Sequence, residues 1–268
     1  MLIAMKNKII KLFGGILLGF AVVVTTGFFA ARAFFYDIPV LMYHYVDYTE
    51  SGSSLFVSPE SFARQIDFIS RRGYRVLTLD EYTGYIKEGR DKGRKNLVLL
   101  TFDDGREDNY TNAYPMLKEK GMSAVFFVPA GLIGEKDVLN REQITEMSLS
   151  GMEFGSHSLT HSYLPALSYE ELEREIIESK KILDELLGEE IRPIAYPIGG
   201  YNEDTLELVR AAGYSIAFTT NRGFSKNRRN DDYFAVRRVK IKDSDSSFNL
   251  WLKLSGIYNL FKSVKEPY

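Results

Sequence analysis

Three histidines stand in this 268-residue sequence, His44, His157 and His161, and each follows an apolar run. His157 and His161 are four residues apart. On a helical turn that spacing separates two side chains by about 40° around the axis, so both imidazoles can reach one ion. Asp103 and Asp104 stand side by side after Leu97-Val98-Leu99-Leu100. Neighbouring carboxylates repel unless a cation or a proton lies between them. One aspartate as a metal ligand and the other as a general base resolves the repulsion and gives the histidine pair a third ligand. Two imidazoles and a carboxylate leave positions open on a divalent ion for water and substrate, the open form of a catalytic site. Zinc suits such ligands first; cobalt, nickel and manganese also accept them. A plainer reading stays open at this point. Asp-Asp-Gly is also the composition of a tight turn, and two histidines in a loop can be unrelated polar residues.

The elements that must position these residues alternate along the chain. Apolar runs at 38–46, 75–79, 96–102, 123–128, 152–155, 191–197, 214–219 and 235–241 predict strands. Helical stretches separate them. Ser58-Pro59 opens one, with serine able to cap and proline in the first turn, and Gly73 ends it. A second runs from 107 to 120. The longest starts at the capping box Ser168-Tyr169-Glu170-Glu171, carries the stripe Leu172, Ile176, Leu183 and Leu187, and closes at Gly188. Asn202 caps another. Repeated strand–helix alternation implies a parallel sheet with right-handed crossovers, and seven or eight such units in one domain predict an α/β fold, a (β/α) barrel. Chemistry in such barrels collects where strands end, and there the three histidines, Asp103-Asp104-Gly105 and Pro197-Ile198-Gly199-Gly200 fall.

Cysteine is absent, which excludes a disulfide scaffold, thiolate zinc sites and a cysteine nucleophile. A net charge of −2 gives no electrostatic footprint for nucleic acid. The charge is unevenly spread. Residues 1–33 hold Lys6, Lys8, Lys11 and Arg32 and no acid, which leaves −6 for residues 34–268. Between Lys11 and Arg32 lie 20 uncharged residues, 12–31, enough for a helix to span a hydrocarbon core of about 30 Å. The lysine end is expected to stay cytoplasmic. The expectation is a single-pass membrane anchor over 1–33 and one exported domain over 34–268. Ala31-Arg32-Ala33 has the form of a cleavage site, so a secreted domain released near Ala33 is the alternative.

The strings Thr101-Phe102-Asp103-Asp104-Gly105, Ser156-His157-Ser158-Leu159-Thr160-His161 and Ala195-Tyr196-Pro197-Ile198-Gly199-Gly200-Tyr201-Asn202 resemble, in order and in strand context, the first three motifs of the polysaccharide deacetylases, the NodB-homology proteins of carbohydrate esterase family four. The resemblance extends over about residues 38–241. It implies a distorted (β/α) barrel, here of seven strands, and metal-dependent removal of acetyl groups from N-acetylated sugars. By position, it gives Asp103 the part of general base, makes Asp104, His157 and His161 the metal ligands, and makes the backbone N–H of Ile198 an oxyanion donor. Two departures matter. Ala195 stands where the third motif usually begins with an arginine that orients the base, and no histidine follows His161 to serve as the late catalytic acid. Both departures resemble the poly-N-acetylglucosamine deacetylase branch, where a tyrosine-histidine pair after the first strand supplies the acid, as Tyr43-His44 would here. With two histidines committed to metal, His44 is the remaining histidine to protonate a leaving amine; a strand-end histidine bonded to a nearby carbonyl is the alternative. Arg237 or Arg238 is the candidate for the missing guanidinium, against the alternative that both are solvated.

The function expected is therefore an N-deacetylase of a bacterial N-acetylglucosamine polysaccharide, either poly-N-acetylglucosamine or peptidoglycan. An O-acetyl esterase on xylan-type glycans and a non-catalytic glycan-binding protein are the rivals. Trp251, Leu252, Leu254, Ile257, Leu260 and Phe261 predict a C-terminal amphipathic helix packed on the barrel exterior. Lys226, Arg228 and Arg229 are expected on a solvated loop.

Overall fold

The computed structural model describes residues 2–35, 37–49, 52–87, 96–220, 232–256 and 258. Each apolar run becomes at least one strand: β1 (Val40–Tyr43), β2 (Arg75–Val76), β3 (Leu97–Phe102), β4 (Val125–Val128), β5 (Glu153–Ser156), β6 (Pro193–Ala195), β7 (Ile216–Thr219), β8 (Val236–Arg237) and β9 (Val239–Lys240). All pair in parallel, in the order β8-β7-β6-β5-β4-β3-β1-β9, with β2 on the side of β3. The path therefore has eight strands where seven are expected. The last run accounts for the difference: it pairs with β7 through Val236 and Arg237, then with β1 through Val239 and Lys240. Arg238 between them is the point where the partner changes. One short segment thus joins both ends of the path and nearly closes a distorted (β/α) barrel.

Strands covered on both faces are almost wholly apolar, as in LVLLTF of β3, where Thr101 is the exception, and VFFV of β4. Alternate residues fill the barrel interior, Val40, Leu99, Val125, Phe127, Ile216 and Phe218 among them. The opposite set faces the helices. There Tyr43, Phe102, Phe126 and Phe154 lie in direct register on four adjacent strands, with ring centroids 5.2, 4.7 and 5.8 Å apart. Such pairs contribute roughly 0.5–1.5 kcal/mol each beyond their burial. This ladder also levels the strand ends, so the residues just past Tyr43 and Phe102, His44 and Asp103, emerge at one height.

Around the barrel lie α2 (Pro59–Arg71), α3 (Leu79–Lys87), α4 (Tyr114–Glu119), α5 (Arg141–Leu149), α6 (Tyr169–Leu187) and α7 (Glu203–Ala211). The capping box of α6 forms with both bonds and Gly188 ends the helix at φ 68°, and Asn202 caps α7. Ser58 occupies the cap position of α2, yet its hydroxyl donates to Asp243 (2.6 Å) and does not cap. The stretch 107–120 is divided: a π-helical turn, Asn109–Ala113, precedes α4. Helices α3 and α5 were not among the expected elements, although the box Asn140/Gln143 that caps α5 was present in the sequence.

At the N-terminus α1 (Leu2–Phe35) is a 34-residue helix whose described side chains at 13–27 are all exposed. Among the described residues no helix is long and apolar enough to cross a membrane. The C-terminal helix α8 (Ser247–Lys253) buries Leu250 and stacks Trp251 on Phe248 and on Phe28 of α1. Ile257, Leu260, Phe261, Lys226, Arg228 and Arg229 lie outside the described residues.

Candidate active site

Period two along β3 and β5 carries the inward-facing side past their ends. Asp103 follows Leu99 and Thr101 on that side, and His157 follows Gly155. Gly155 is required beneath His157, because a Cβ there would come within 2.7 Å of the Phe127 ring. The Asp103 N–H still bonds the Tyr43 carbonyl (3.0 Å), and the chain then turns through left-handed Asp104 (φ 70°) and Gly105 (φ 56°). That turn brings the second carboxylate over the same cavity as the first.

Asp104, His157 and His161 offer ligand atoms that all lie within 4.8 Å of one another. Asp104 Oδ1 stands 3.4 Å from His157 Nε2 and 3.1 Å from His161 Nε2. The Nδ1 of His157 lies 2.7 Å from the Ala195 carbonyl. Donation there fixes the ring's tautomer and turns the Nε2 lone pair toward Asp104, the usual outer support of a metal-ligating histidine. Burial opposes ionisation of Asp104, but hydrogen bonds from both imidazoles outweigh it and hold its carboxyl far below the usual range. Burial likewise disfavours a charged His157, and Asp104 and Asp103 more than restore its affinity for a proton. A divalent cation satisfies the same electrostatic demand with both imidazoles neutral, so the donor set fits a metal of the zinc type.

The helical turn expected between the two histidines is absent. Residues 157–161 form a loop in which Ser158 and His161 both take φ 63°. Two nested bonds set it: Ser156 Oγ accepts the Ser158 N–H (3.1 Å) and Ser158 Oγ accepts the His161 N–H (3.0 Å). Buried Glu175 on α6 accepts the N–H groups of Leu159 and Thr160, each at 2.8 Å. Sequence reading missed Glu175, because its place on the buried stripe of α6 carries no sign of a polar partner.

Arg238, also fully buried, forks onto Asp103 with bonds of 2.6 and 2.7 Å. It also donates to Thr101 Oγ1 (3.2 Å) and to the Thr219 carbonyl (3.3 Å). Burial works against an ionised Asp103, yet Arg238, His157 and His44 prevail and keep its carboxyl below the ordinary value. Of the two candidate arginines, Arg238 therefore holds this aspartate. Ala195, where the family's arginine is usual, is a small buried residue of the barrel interior.

His44 Nε2 lies 3.9 Å from Asp103 Oδ2. Burial pushes the His44 pKa below 6.5, and Asp103 and Asp104 partly oppose the shift. Nearby, burial pushes the Asp108 carboxyl up to about 6. Ile198 lies three residues beyond the Ala195 carbonyl that His157 meets, in the turn Pro197–Gly199, at φ 59°. A β-branched residue strongly disfavours that conformation. Bonds from Gly199 N–H to the Tyr196 carbonyl (2.8 Å) and from Thr220 Oγ1 to the Ile198 carbonyl (2.9 Å) hold it. Asp104, Ser158, His161 and Ile198 are four of the six non-glycine residues at positive φ among those described, so backbone strain concentrates on this rim.

The sequence model of the polysaccharide deacetylase family matches residues 90–217. YxkH of Bacillus subtilis (strain 168), a protein named for polysaccharide deacetylase activity, is 35% identical over 218 residues, spanning 81% of this chain and 76% of the relative. The chain belongs to the polysaccharide deacetylase family. As a deacetylase it is a hydrolase. It is 31% identical over 203 residues to the poly-beta-1,6-N-acetyl-D-glucosamine N-deacetylase of Staphylococcus aureus, spanning 70% of this chain and 68% of that one. Two solved structures share the fold at 31% identity. The Streptococcus pyogenes deacetylase PplD, in complex with acetate, has a TM-score of 0.75 and covers 81% of this chain and 97% of its own. IcaB from Ammonifex degensii has a TM-score of 0.71 and covers 82% and 97%.

Proposed function

We propose that this deacetylase removes N-acetyl groups from N-acetylglucosamine residues of a bacterial cell-surface polysaccharide, with one divalent metal ion, zinc first, held by Asp104, His157 and His161. The observation that carries the reading is the convergence of an Asp–His–His donor set beside a second carboxylate, Asp103, bound bidentately by a buried arginine. The similarity to the Staphylococcus aureus poly-beta-1,6-N-acetyl-D-glucosamine N-deacetylase supports poly-N-acetylglucosamine over peptidoglycan as substrate.

Held by Asp104, His157 and His161, a divalent ion would supply Lewis acidity toward the acetyl carbonyl and toward water. Asp103 takes a proton from the attacking water. Arg238 keeps that carboxylate charged and fixes the direction of its lone pairs, since a guanidinium fork permits only one planar arrangement. The Ile198 N–H donates to the oxygen on which negative charge develops. His44 delivers a proton to the nitrogen of the departing amine, a group otherwise too basic to leave. Acetate and a free sugar amine are the products.

The same reading assigns residues 12–31 as a single-pass anchor with the deacetylase domain outside the cell, although among the described residues no helix is long and apolar enough to cross a membrane. Its support is the run of 20 uncharged residues between Lys11 and Arg32 and the exposure of apolar side chains such as Leu17, Phe20 and Val23 in α1. Recovery of the full-length chain with membranes is expected; recovery of only a soluble species beginning at Phe34 would replace the anchor with a cleaved signal.

Acetate release should be compared on β-1,6-linked N-acetylglucosamine oligomers, peptidoglycan fragments and acetylated xylan, with metal content measured on the same sample. Turnover is expected on the first substrate with one bound divalent ion. Activity confined to peptidoglycan would move the substrate, activity confined to xylan would make the chain an esterase, and full turnover without metal would refute the mechanism.

A further inference from the structure

The segment that carries His44 leaves the sheet just before it. β1 ends at Tyr43, and beyond it Tyr45 has only an isolated bridge to Phe56. Backbone bonds at that bridge, Tyr45 N–H to the Leu55 carbonyl (3.3 Å) and Val57 N–H to the Tyr45 carbonyl (3.0 Å), hold Tyr45 and leave the His44 carbonyl and both Val46 backbone groups to other partners. Three side chains of one segment take over where the ladder stops. Asn109 Nδ2 donates to the His44 carbonyl (2.8 Å), Asp108 Oδ1 accepts the Val46 N–H (2.7 Å), and Asn112 Nδ2 donates to the Val46 carbonyl (2.8 Å). Asn109 Nδ2 also bonds Asp108 Oδ1 (2.7 Å), so two of the three gripping side chains are themselves joined.

That segment continues from the one carrying Asp103 and Asp104: Asp108 stands at the cap position of the π-helical stretch Asn109–Ala113, to which Asn109 and Asn112 belong. Short π-helical turns are uncommon and recur at functional sites. Asn109 is completely buried, and its Oδ1 has no partner. Among the described residues the other buried side-chain atom without a partner is Arg106 Nε, in the same segment. A buried amide that leaves one atom unsatisfied is poor design for stability alone, so its donation to the His44 carbonyl calls for another reason.

We propose that Asp108, Asn109 and Asn112 are positioning residues for the catalytic acid: they tie the backbone on both sides of His44 to the segment that carries Asp103, and so keep donor and base in one rigid frame. The inference rests on the reading of His44 as the acid. Slack of about 1 Å in a reacting group costs about a hundredfold in rate, and among the described residues the side-chain bonds to the His44 carbonyl and to both Val46 backbone groups come from that segment.

The test uses the full chain, zinc-loaded, with two substrates. One is an N-acetylglucosamine oligomer, whose amine must be protonated to leave. The other is an aryl acetate, whose leaving group needs little protonation. Asn109→Ala and Asn112→Ala are expected to lower kcat on the amide at least tenfold and kcat on the ester less than threefold, with zinc content unchanged. In a His44→Ala background the same substitutions should cost less than twofold on the amide. Equal losses on amide and ester, or undiminished losses in the His44→Ala background, would overturn the positioning role. If His44→Ala itself deacetylates the amide at the normal rate, the acid lies elsewhere and the underlying reading fails first. Asn112 is half-buried, so its variant carries the test should Asn109→Ala not fold.

Discussion

Arg238→Met retains most of the side-chain volume and removes the charge. The lost guanidinium is fully buried, bonds Asp103 at 2.6 and 2.7 Å, and bonds Thr101 at 3.2 Å. Removing one partner of a buried pair costs about 3–5 kcal/mol, because the other charge stays behind uncompensated. Asp103 can escape part of that cost by taking a proton, which makes the penalty depend on pH. With Arg238 present, the depressed Asp103 carboxyl contributes stability above about pH 4 that is lost on further acidification. Without Arg238 the carboxyl moves up, because burial keeps its full effect while only His157 and His44 still oppose it, so the penalty is smaller where the carboxyl can take a proton. The variant should be destabilised by about 3–5 kcal/mol at pH 8 and by clearly less at pH 5. Urea unfolding in the presence of a chelator reads this without metal linkage. The cycle with Asp103→Asn supplies the check. Each single change strands a buried partner and the double change strands none, so the two single costs should exceed the double by about 2 kcal/mol or more. Acetate release should fall by about 10²–10⁴, the effect of a disabled general base. Costs additive within about 0.5 kcal/mol, or a penalty equal at both pH values, would refute the account of Arg238 as the partner of the base.

Other consequences follow from the same site. Chelation should abolish acetate release and zinc or cobalt should restore it; activity in a verified metal-free sample would exclude the ion's role. Asp103→Asn should keep the metal while losing about 10²–10⁴ in turnover, whereas Asp104→Asn should also weaken metal binding, and identical metal affinities would mean that the two roles are misassigned. His44→Ala should impair hydrolysis of the N-acetyl amide far more than that of an activated ester, which competition between the two substrates can measure. Burial raises the Asp108 carboxyl to about 6, so its stabilising contribution is complete below about pH 4 and is lost as pH rises through about 6. Relative to Asp108→Asn, the wild type should lose up to about 3 kcal/mol of stability between pH 4 and pH 7, less where Arg106 and solvent offset the charge; a difference constant with pH in urea unfolding would contradict this.

What the sequence determined by itself is what local chemistry controls. All eight apolar runs became strands, because a strand buried on both faces must be apolar whatever it packs against. The box at Ser168 and Glu171 and the cap at Asn202 formed as read, since each involves atoms three residues apart. The residues Asp103, Asp104, His157, His161 and His44 were legible because rare polar residues at the ends of apolar runs have few structural reasons to be there. Tertiary structure decided the rest. His157 and His161 meet across a strained loop and not along a helix, and the loop holds its shape through Glu175 on a later helix. Arg238 reaches an aspartate 135 residues earlier because one short segment pairs with β7 and then β1, bringing the last run beside the first. The choice of Arg238 over Arg237 follows from which side of that segment faces the interior, and parity has no absolute sign until the barrel closes. The grip of Asn109 and Asn112 on the His44 segment spans more than sixty residues. Hydrogen bonds between sequence-distant groups have no periodicity and leave no local signature; they exist only where the closed barrel brings two strand ends to one rim.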